Sequence, residues 1–547
     1  MKKKLTFVAV GFVGLILFSF TPPGDRFFEL AKNLEIFGSL FREVNALYVD
    51  DVNPNVAARH SIDAMLNSLD PYTNYIPEDE VEDYRTQNTG QYGGIGATTI
   101  TIGHRTVVNM VFENYPAYKN GLRIGDEIVK INGIDLLKIP TDESGRLMKG
   151  QVGSSVKVSV KRFGHDELVN LEFKREKIKI NSVPYFGMVP SSDIGLVQLT
   201  EFTSDCSKEL KKGIQSLKEQ GAKKIILDIR GNPGGLLPEA VEICNLFIPK
   251  EKLVVATKGK SEQRYYDTEH EPIDENIPVA ILINRGSASA SEIVAGTLQD
   301  YDRAVIIGER SYGKGLVQMG KPFIYNSYVK ITTAKYYTPS GRCIQVLDYT
   351  HRRTDGSVAS VPDSIKKEFK TTRGRMVHDG GGIEPDVALP SDEKQGIAIA
   401  LNKEGFLFDY ATEYASKHPS IAPAKSFLLS TSEYNDFVNW MKGKKLIYKS
   451  SLENELKELR DEASHEKYLP LIQQQIDQVS EKLAEIHQSD FLTYKDEIKF
   501  LLEHEIVSRY YFEKGAAEYA LSRDEEVKKA VEVLSDASGY KKILRLP

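Results

Sequence analysis

At 547 residues the chain is too long for a single hydrophobic core, so three or four domains are expected. Apolar residues make up 41% and charged residues 27%, ordinary globular values, and a net charge of −6 gives no reason to expect nucleic acid as a partner. Three widely spaced cysteines, Cys206, Cys244 and Cys343, offer neither a disulfide framework nor a metal-ligand spacing and read as small apolar core residues.

The N-terminus begins "MKKK" and continues with an almost wholly apolar run from Leu5 to Phe20, closed by "TPPGDR". A basic flank before a short apolar segment is an export signal, which places the rest of the chain outside the cytoplasm. No small-x-small cleavage site follows "LILFSF", and the run is shorter than a usual span of about 20 residues. Residues 1–23 are therefore read as either a signal peptide or a membrane anchor. Residues 24–88 form an N-terminal helical region, with Phe27, Phe28, Leu30, Leu34, Phe37, Leu40, Phe41 and Val44 recurring at helical spacing. "DDVNPN" interrupts the pattern and "DPYTNYIP" ends it as a loop.

Residues 89–177 change character. "GQYGGIGATTITI", "TVVNMVF", "SSVKVSVKR" and "ELVNLEFKR" alternate like paired strands around Gly-rich turns, and form a small β-rich module. Residues 178–395 alternate short apolar runs ("IGLVQL", "KKIILDI", "KLVVAT", "PVAILIN", "RAVIIG") with amphipathic segments. Such runs are buried in a sheet covered on both faces, so this is an α/β layer structure. Residues 396–547 are helical and charged. Ile472, Ile476, Val479, Leu483 and Ile486 make a two-heptad seam, short enough to be one side of a helical hairpin.

Three stretches carry candidate chemistry. In "NRGSASASEIVAGTLQD" a strand ends, a small-residue turn follows and a helix begins, so Ser287, Ser289 and Ser291 crowd a helix start. A serine there can attack a carbonyl while backbone N–H groups hold the oxyanion. The same residues also fit a capping box, Ser289 with Glu292. A serine nucleophile needs a base, and none of the ten histidines sits in a recognisable motif. In "GERSYGKGLVQ" Lys314 lies between two glycines. To act as a base its pKa must fall from about 10.4 to about 7–8, which burial can do. The string also starts a phosphate loop, G-x-x-x-x-G-K, but Gly315 stands where a Mg²⁺-binding Ser or Thr is required. "LDIRGNPGGLL" runs a strand into a turn whose glycines can point amides at an oxyanion or simply connect strand to helix.

"LDIRGNPGG", "GSASASEI", "GERSYGKGLVQ", and "YYTPSGRCIQ" with "GGIEPDV", which follow one another along the chain in the family's order, together resemble the carboxyl-terminal processing peptidases, also called tail-specific proteases. The likeness runs from about residue 30 to 390. It implies a multidomain α/β fold with a crotonase/Clp-protease-like catalytic core, an inserted β-rich PDZ domain and helical N- and C-terminal regions. It implies Ser289 as nucleophile, Lys314 as general base and Gln318 as the residue that orients the lysine. Ala290 and a glycine of the Gly234–Gly235 pair would supply the oxyanion amides. The β-rich module resembles a PDZ domain, which adds a C-terminal peptide as a strand. Its carboxylate loop would be Tyr92, Gly93, Gly94, Ile95 and Gly96. The implied enzyme is an exported serine endopeptidase acting on proteins with flexible C-terminal tails, with no metal or other cofactor. An adaptor that delivers substrates and self-association through the C-terminal helices both stay open. Cys343 replaces a small hydroxyl residue, residues from about 347 to 379 look like an insertion, and the helices after 396 match no motif. The rivals are a nucleotide-binding protein and a non-catalytic PDZ scaffold that only binds tails.

Overall fold

The computed structural model describes residues 24–547 apart from 141–142, 353–356, 391–395, 447, 449 and 488. The export segment at residues 1–23 lies outside the described residues. No helix among the described residues is long and apolar enough to cross a membrane. The described residues fall into two units, 24–75 with 320–331, and the remainder.

The smaller unit holds α1 (Gly24–Leu47) and α2 (Pro54–Asn67). Asn53 caps α2, accepting the Asn55 and Val56 N–H groups, with Pro54 in the first turn where its missing N–H costs nothing. Helix α1 leaves Phe27, Phe28, Leu34 and Leu40 more than half exposed.

In the larger unit, α3 (Val81–Thr89) leads into the β-rich module. Its strands are β1 (Gln91–Gly94), β2 (Ala97–Ile102), β3 (Arg105–Val111), β4 (Glu127–Ile131), β5 (Ser155–Lys161), β6 (Val169–Lys174) and β7 (Glu176–Lys179). The helices α4 (Pro116–Lys119) and α5 (Glu143–Met148) complete it. The main sheet runs β2–β3–β4–β5–β6, while β1 pairs antiparallel with β7 where the chain enters and leaves. Val156, Val158 and Val160 point inward at the two-residue period of a half-buried strand, onto Val108, Ile128 and Phe173.

The core sheet has the order β8 (Phe186–Met188), β9 (Ile194–Gln198), β10 (Lys224–Asp228), β11 (Val279–Ile283), β12 (Ala304–Gly308) and the short strand Val387–Ala388. It is parallel from β9 onward, with β8 antiparallel at one edge. Side chains alternate between two dry faces. Ile225, Leu227, Ile281 and Ile306 pack toward α6 (Cys206–Glu219), α7 (Leu237–Asn245) and α8 (Ala290–Asp300). "KLVVAT", expected in this layer, lies instead in a second, antiparallel sheet. There Leu253–Gly259 runs between Gln263–Asp267 and Tyr328–Tyr337. Val254 and Val255 are buried while Lys258 and Gly259 reach solvent, so this strand is only half covered. The insertion folds as two small antiparallel hairpins, Leu347–Arg352 with Val358–Ser360 and Glu368–Lys370 with Met376–His378. Cys206 and Cys244 are buried, Cys343 partly so, and all three are free thiols.

The C-terminal region comprises α9 (Gly396–Lys403), α10 (Phe406–Lys417), α11 (Thr431–Met441), α12 (Ser451–His465), α13 (Leu469–His487), α14 (Lys495–Leu521), α15 (Glu525–Ser535) and α16 (Ala537–Ile543). The seam sequence forms a helical hairpin: Arg460 pairs with Asp477 at 2.5 Å and His487 lies 3.4 Å from Glu453, with Ile476 buried between α12 and α13. Helices α10 and α14 also grip the β-rich module. Arg105 forms a two-pronged bond to Asp409 (2.8 and 3.2 Å), and Phe408 packs on Ile102 and Val107. Most consequential, Leu521, Val527, Ala530, Val533, Leu534 and Tyr540 cover the second face of the core sheet, against Leu196, Ile226, Ala280, Leu282, Val305 and Ile307. The end of α14 with α15 and α16 is thus the third layer of the central domain.

Candidate active site

Three adjacent parallel strands, β10, β11 and β12, deliver the three chemical stretches to one end of the core sheet, where open α/β sheets place their sites. The turns after β10 and β11 are tied by Asn284, whose Oδ1 accepts the N–H of Gly231 (2.9 Å) and of Gly286 (3.0 Å).

The crowded serines separate by what their hydroxyls do. Ser287 Oγ donates to the Ile229 carbonyl and Ser291 Oγ to the Asn232 carbonyl, each at 2.9 Å and fully buried. Both are structural ties between the turns. Ser289 is half-buried at the start of α8 and has φ 55° and ψ −112°, a backbone state that a non-glycine residue adopts only when its surroundings impose it. Its neighbours impose it: the Glu292 carboxylate accepts the Ser289 N–H at 2.8 Å, and Tyr336 Oη donates to the Ser289 carbonyl at 3.3 Å.

Glu292 is the hub of the site. It is fully buried, and its Oε2 accepts both the Ser289 N–H and the Lys314 N–H (2.9 Å). Its Oε1 accepts the Gly313 N–H (2.6 Å) and the Ser311 hydroxyl (2.5 Å). Burial pushes its pKa up, against four hydrogen bonds that favour the ionised form. Sequence reasoning met Glu292 only as half of a capping box; the S-x-x-E spacing was its signal.

Gly234 lies directly against the serine turn. A methyl placed on it would sit 2.8 Å from Ser289 Cβ and 2.9 Å from the Ala290 nitrogen, and its φ is +99°. Only glycine allows this approach. Its own N–H is spent on Asn232 Oδ1 at 2.9 Å. Asn232, also missed from sequence, fixes the turn: its carbonyl accepts the Ala288 N–H at 3.0 Å and its Nδ2 donates to the Leu199 carbonyl at 2.9 Å. The "NPG" string was the clue, since asparagine bonds its own backbone two residues on. Gly235 follows at φ +145°, pinned beside Phe202.

The half-buried Lys314 lies in the turn between β12 and β13 (Leu316–Pro322). Its neighbours' amides are consumed inside the protein, Gly313 by Glu292 and Gly315 by Gln345 Oε1 at 2.8 Å. A phosphate cradle needs those N–H groups free, so the nucleotide reading fails on geometry. Gln318 sits on β13, its Nε2 donating to Thr332 Oγ1 at 3.2 Å on β14 (Tyr328–Tyr337).

Of the expected carboxylate loop, Tyr92, Gly93 and Gly94 are not a loop. They belong to β1 and pair with Ile178, Lys177 and Glu176 of β7, because the ladder that closes the module extends through them. The connection is Ile95–Gly96, with Ile95 buried and Gly96 at φ +77°. Burial, with Tyr115 adding to it, pushes the Tyr92 phenol up to about 12. Strand β2, directly after this connection, ends the order of the main sheet.

A sequence model of peptidase family S41 matches residues 193–350, one of the PDZ domain matches 93–173, and one described as a probable PDZ-protease C-terminal helical domain matches 397–534. The chain is 35% identical over 325 residues to the carboxy-terminal-processing protease of Bartonella bacilliformis, spanning 58% of this chain and 74% of that one. The chain belongs to this protease family. It is 30% identical to a probable CtpA-like serine protease of Staphylococcus aureus, over 68% of each chain. Among solved structures, a photosystem II D1 C-terminal processing protease is 27% identical, covering 64% of this chain and 87% of its own, with a TM-score of 0.35. As an S41 protease the chain is a serine-type endopeptidase of multidomain α/β build, with an inserted PDZ domain that binds the C-terminal tails of its substrates.

Proposed function

We propose that Ser289 is the nucleophile and Lys314 its general base. Neutral Lys314 takes the Ser289 Oγ proton as the oxygen attacks the scissile carbonyl carbon. The oxyanion is held by the Ala290 N–H at the start of α8 and by the glycine pair. Gly235 is the donor of that pair, because Gly234 gives its N–H to Asn232 and serves by close approach. Collapse expels the amine, which leaves with the proton from Lys314, and an acyl-enzyme remains on Ser289. Lys314 then takes a proton from water as the hydroxide attacks the ester carbonyl, the bond to Ser289 Oγ breaks to release the new carboxyl terminus, and Lys314 returns its proton to Oγ. Gln318, on the strand that leaves the lysine turn, orients the amine. The observation that carries this reading is the shared Glu292 Oε2, which ties the Ser289 and Lys314 backbones to one atom.

The tail adds to the open edge of β2, and the segment Tyr92–Gly96 takes its carboxylate, through the Ile95–Gly96 connection in particular. The core, with its run of parallel strands between helical layers, is of the crotonase/Clp-protease type. The domains divide at 24–88, 89–177, 178–395 and 396–547. Residues 1–23 direct export to the periplasm, as cleaved signal or as anchor. Labelling with a fluorophosphonate, followed by mass spectrometry, tests the assignment. The adduct is expected on Ser289 and absent from Ser289→Ala, which still binds a tail peptide; an adduct on Ser287 or Ser291, or none, overturns it.

A further inference from the structure

The lysine turn is held from two sides. Glu292 takes the Gly313 and Lys314 N–H groups from within the core. The outer side is held by the strap of residues 342–347. Val346 N–H donates to the Gly313 carbonyl at 3.0 Å, and Gly382 N–H, in the segment after the strand Met376–His378, donates to the Ile344 carbonyl at 3.0 Å. Between them Gln345, only 8% exposed, accepts the Gly315 N–H on its Oε1 at 2.8 Å. Its Nε2 donates to the Leu347 carbonyl at 3.0 Å. This second bond fixes the amide orientation, because a flipped carboxamide would set donor against donor and acceptor against acceptor. The fit is close: a methyl on Gly315 would lie 2.9 Å from the Gln345 nitrogen and 3.0 Å from its Cβ.

We infer that Gln345 is a positioning residue for the general base. Through Gly315 it fixes the backbone on the C-terminal side of Lys314, as Glu292 fixes it on the N-terminal side, so that the amine is presented to Ser289 without searching. Gln345 touches neither substrate nor reacting atoms. The inference rests on the Ser289–Lys314 reading above. A displaced base costs rate and leaves tail binding alone, since the PDZ groove is built from other residues. Misplacing a reacting group by about 1 Å costs on the order of 100-fold in rate.

The test compares Gln345→Asn, whose carboxamide is one methylene short of Gly315, with Gln345→Glu, which keeps an acceptor at the same reach and, protonated in this buried setting, an O–H for the Leu347 carbonyl. The full chain is assayed on a protein with a flexible apolar C-terminal tail, and fluorophosphonate labelling of Ser289 is followed in parallel. Gln345→Asn is expected to lose roughly 100-fold in kcat and in labelling rate with KM unchanged. Gln345→Glu should stay within a few-fold of wild type. Wild-type kcat in Gln345→Asn overturns the inference, as does a loss in Gln345→Glu equal to that in Gln345→Asn, or a loss confined to KM. Should Gln345→Asn fail to fold, labelling of Gln345→Glu decides: near the wild-type rate supports the role of the acceptor, and loss refutes it. Lys314→Ala, run alongside, separates the two claims. If it labels as fast as wild type, the dyad reading itself has failed; if it is inert while Gln345→Asn is not impaired, only the inference about Gln345 has failed.

Discussion

Ser289, Ser287 and Ser291 are one residue type within five positions, and their environments divide the work. The outer two are locked in buried bonds, so alanine at either removes a tie of about 1 kcal/mol and leaves a buried carbonyl short of a donor. Thermal unfolding should detect that loss, while kcat for Ser287→Ala and Ser291→Ala falls far less than for Ser289→Ala. At Gly234, alanine combines an unfavourable positive φ with collision against Ser289 and Ala290. A cost of about 1–3 kcal/mol and a loss of kcat are expected, measured by urea unfolding and cleavage assay; unchanged kcat would contradict the close approach. Glu292 gives a pH signature. Burial raises its folded pKa above the ordinary value of 4.5, so between the two values the folded state keeps a proton that the unfolded chain has lost. Stability contributed by this group is therefore full below the ordinary value and is lost as pH rises through the raised one. The wild type should show that slope in its urea midpoint, and Glu292→Gln should lack it. Ser289 and Lys314 are proposed from the resemblance that their motifs carry; spacing alone leaves Ser289 equally a helix cap. The sequence showed Glu292 only as a capping partner and gave no role to Asn232 or Gln345, because their importance lies in which N–H groups they accept, and those come from residues distant in sequence, Ala288 for Asn232 and Gly315 for Gln345.

At the scale of elements, the decisive device is Arg230, at the end of β10. Its guanidinium binds Asp228 at 2.7 Å and Asp524 at 2.8 Å, and also pairs with Glu526. Burial disfavours its charge, but the three carboxylates outweigh that and push its pKa up. The turn from Arg230 to Gly235 is thereby moored to the first turn of α15, more than 290 residues away in sequence. Arg230→Ala strands Asp228, 1% exposed, as an unpaired buried carboxylate. Breaking such a pair costs about 3–5 kcal/mol, and a denaturant titration should find it together with reduced kcat; a loss under 1 kcal/mol would show that the mooring is idle. The strands of the core were legible because each is a short apolar run buried on both faces. What covers the second face was not, since α15 and α16 carry only a generic amphipathic pattern that fits any apolar surface. The Gly-rich string at Tyr92 misled for a related reason: glycine permits a loop but does not forbid a strand, and β7 supplied the partner.

For the molecule as a whole, the C-terminal helices join the two functional domains. Helices α10 and α14 hold the PDZ module, α10 through Arg105–Asp409 and Phe408 and α14 through Phe512 on Tyr118, while α15 and α16 roof the catalytic sheet. Truncation after residue 521 would expose an apolar sheet face, and no soluble folded core is expected; a soluble, active truncated protein, judged by gel filtration and cleavage, would refute the layered account. Tail recognition and peptide hydrolysis are separable acts on this frame. The most direct test is cleavage of a protein bearing a flexible apolar C-terminal tail by wild type and by Lys314→Ala, with a chelator present and no nucleotide, while tail binding is measured in the same samples. The account predicts that both bind the tail and only the wild type cuts it. Equal cleavage by the two proteins would contradict it.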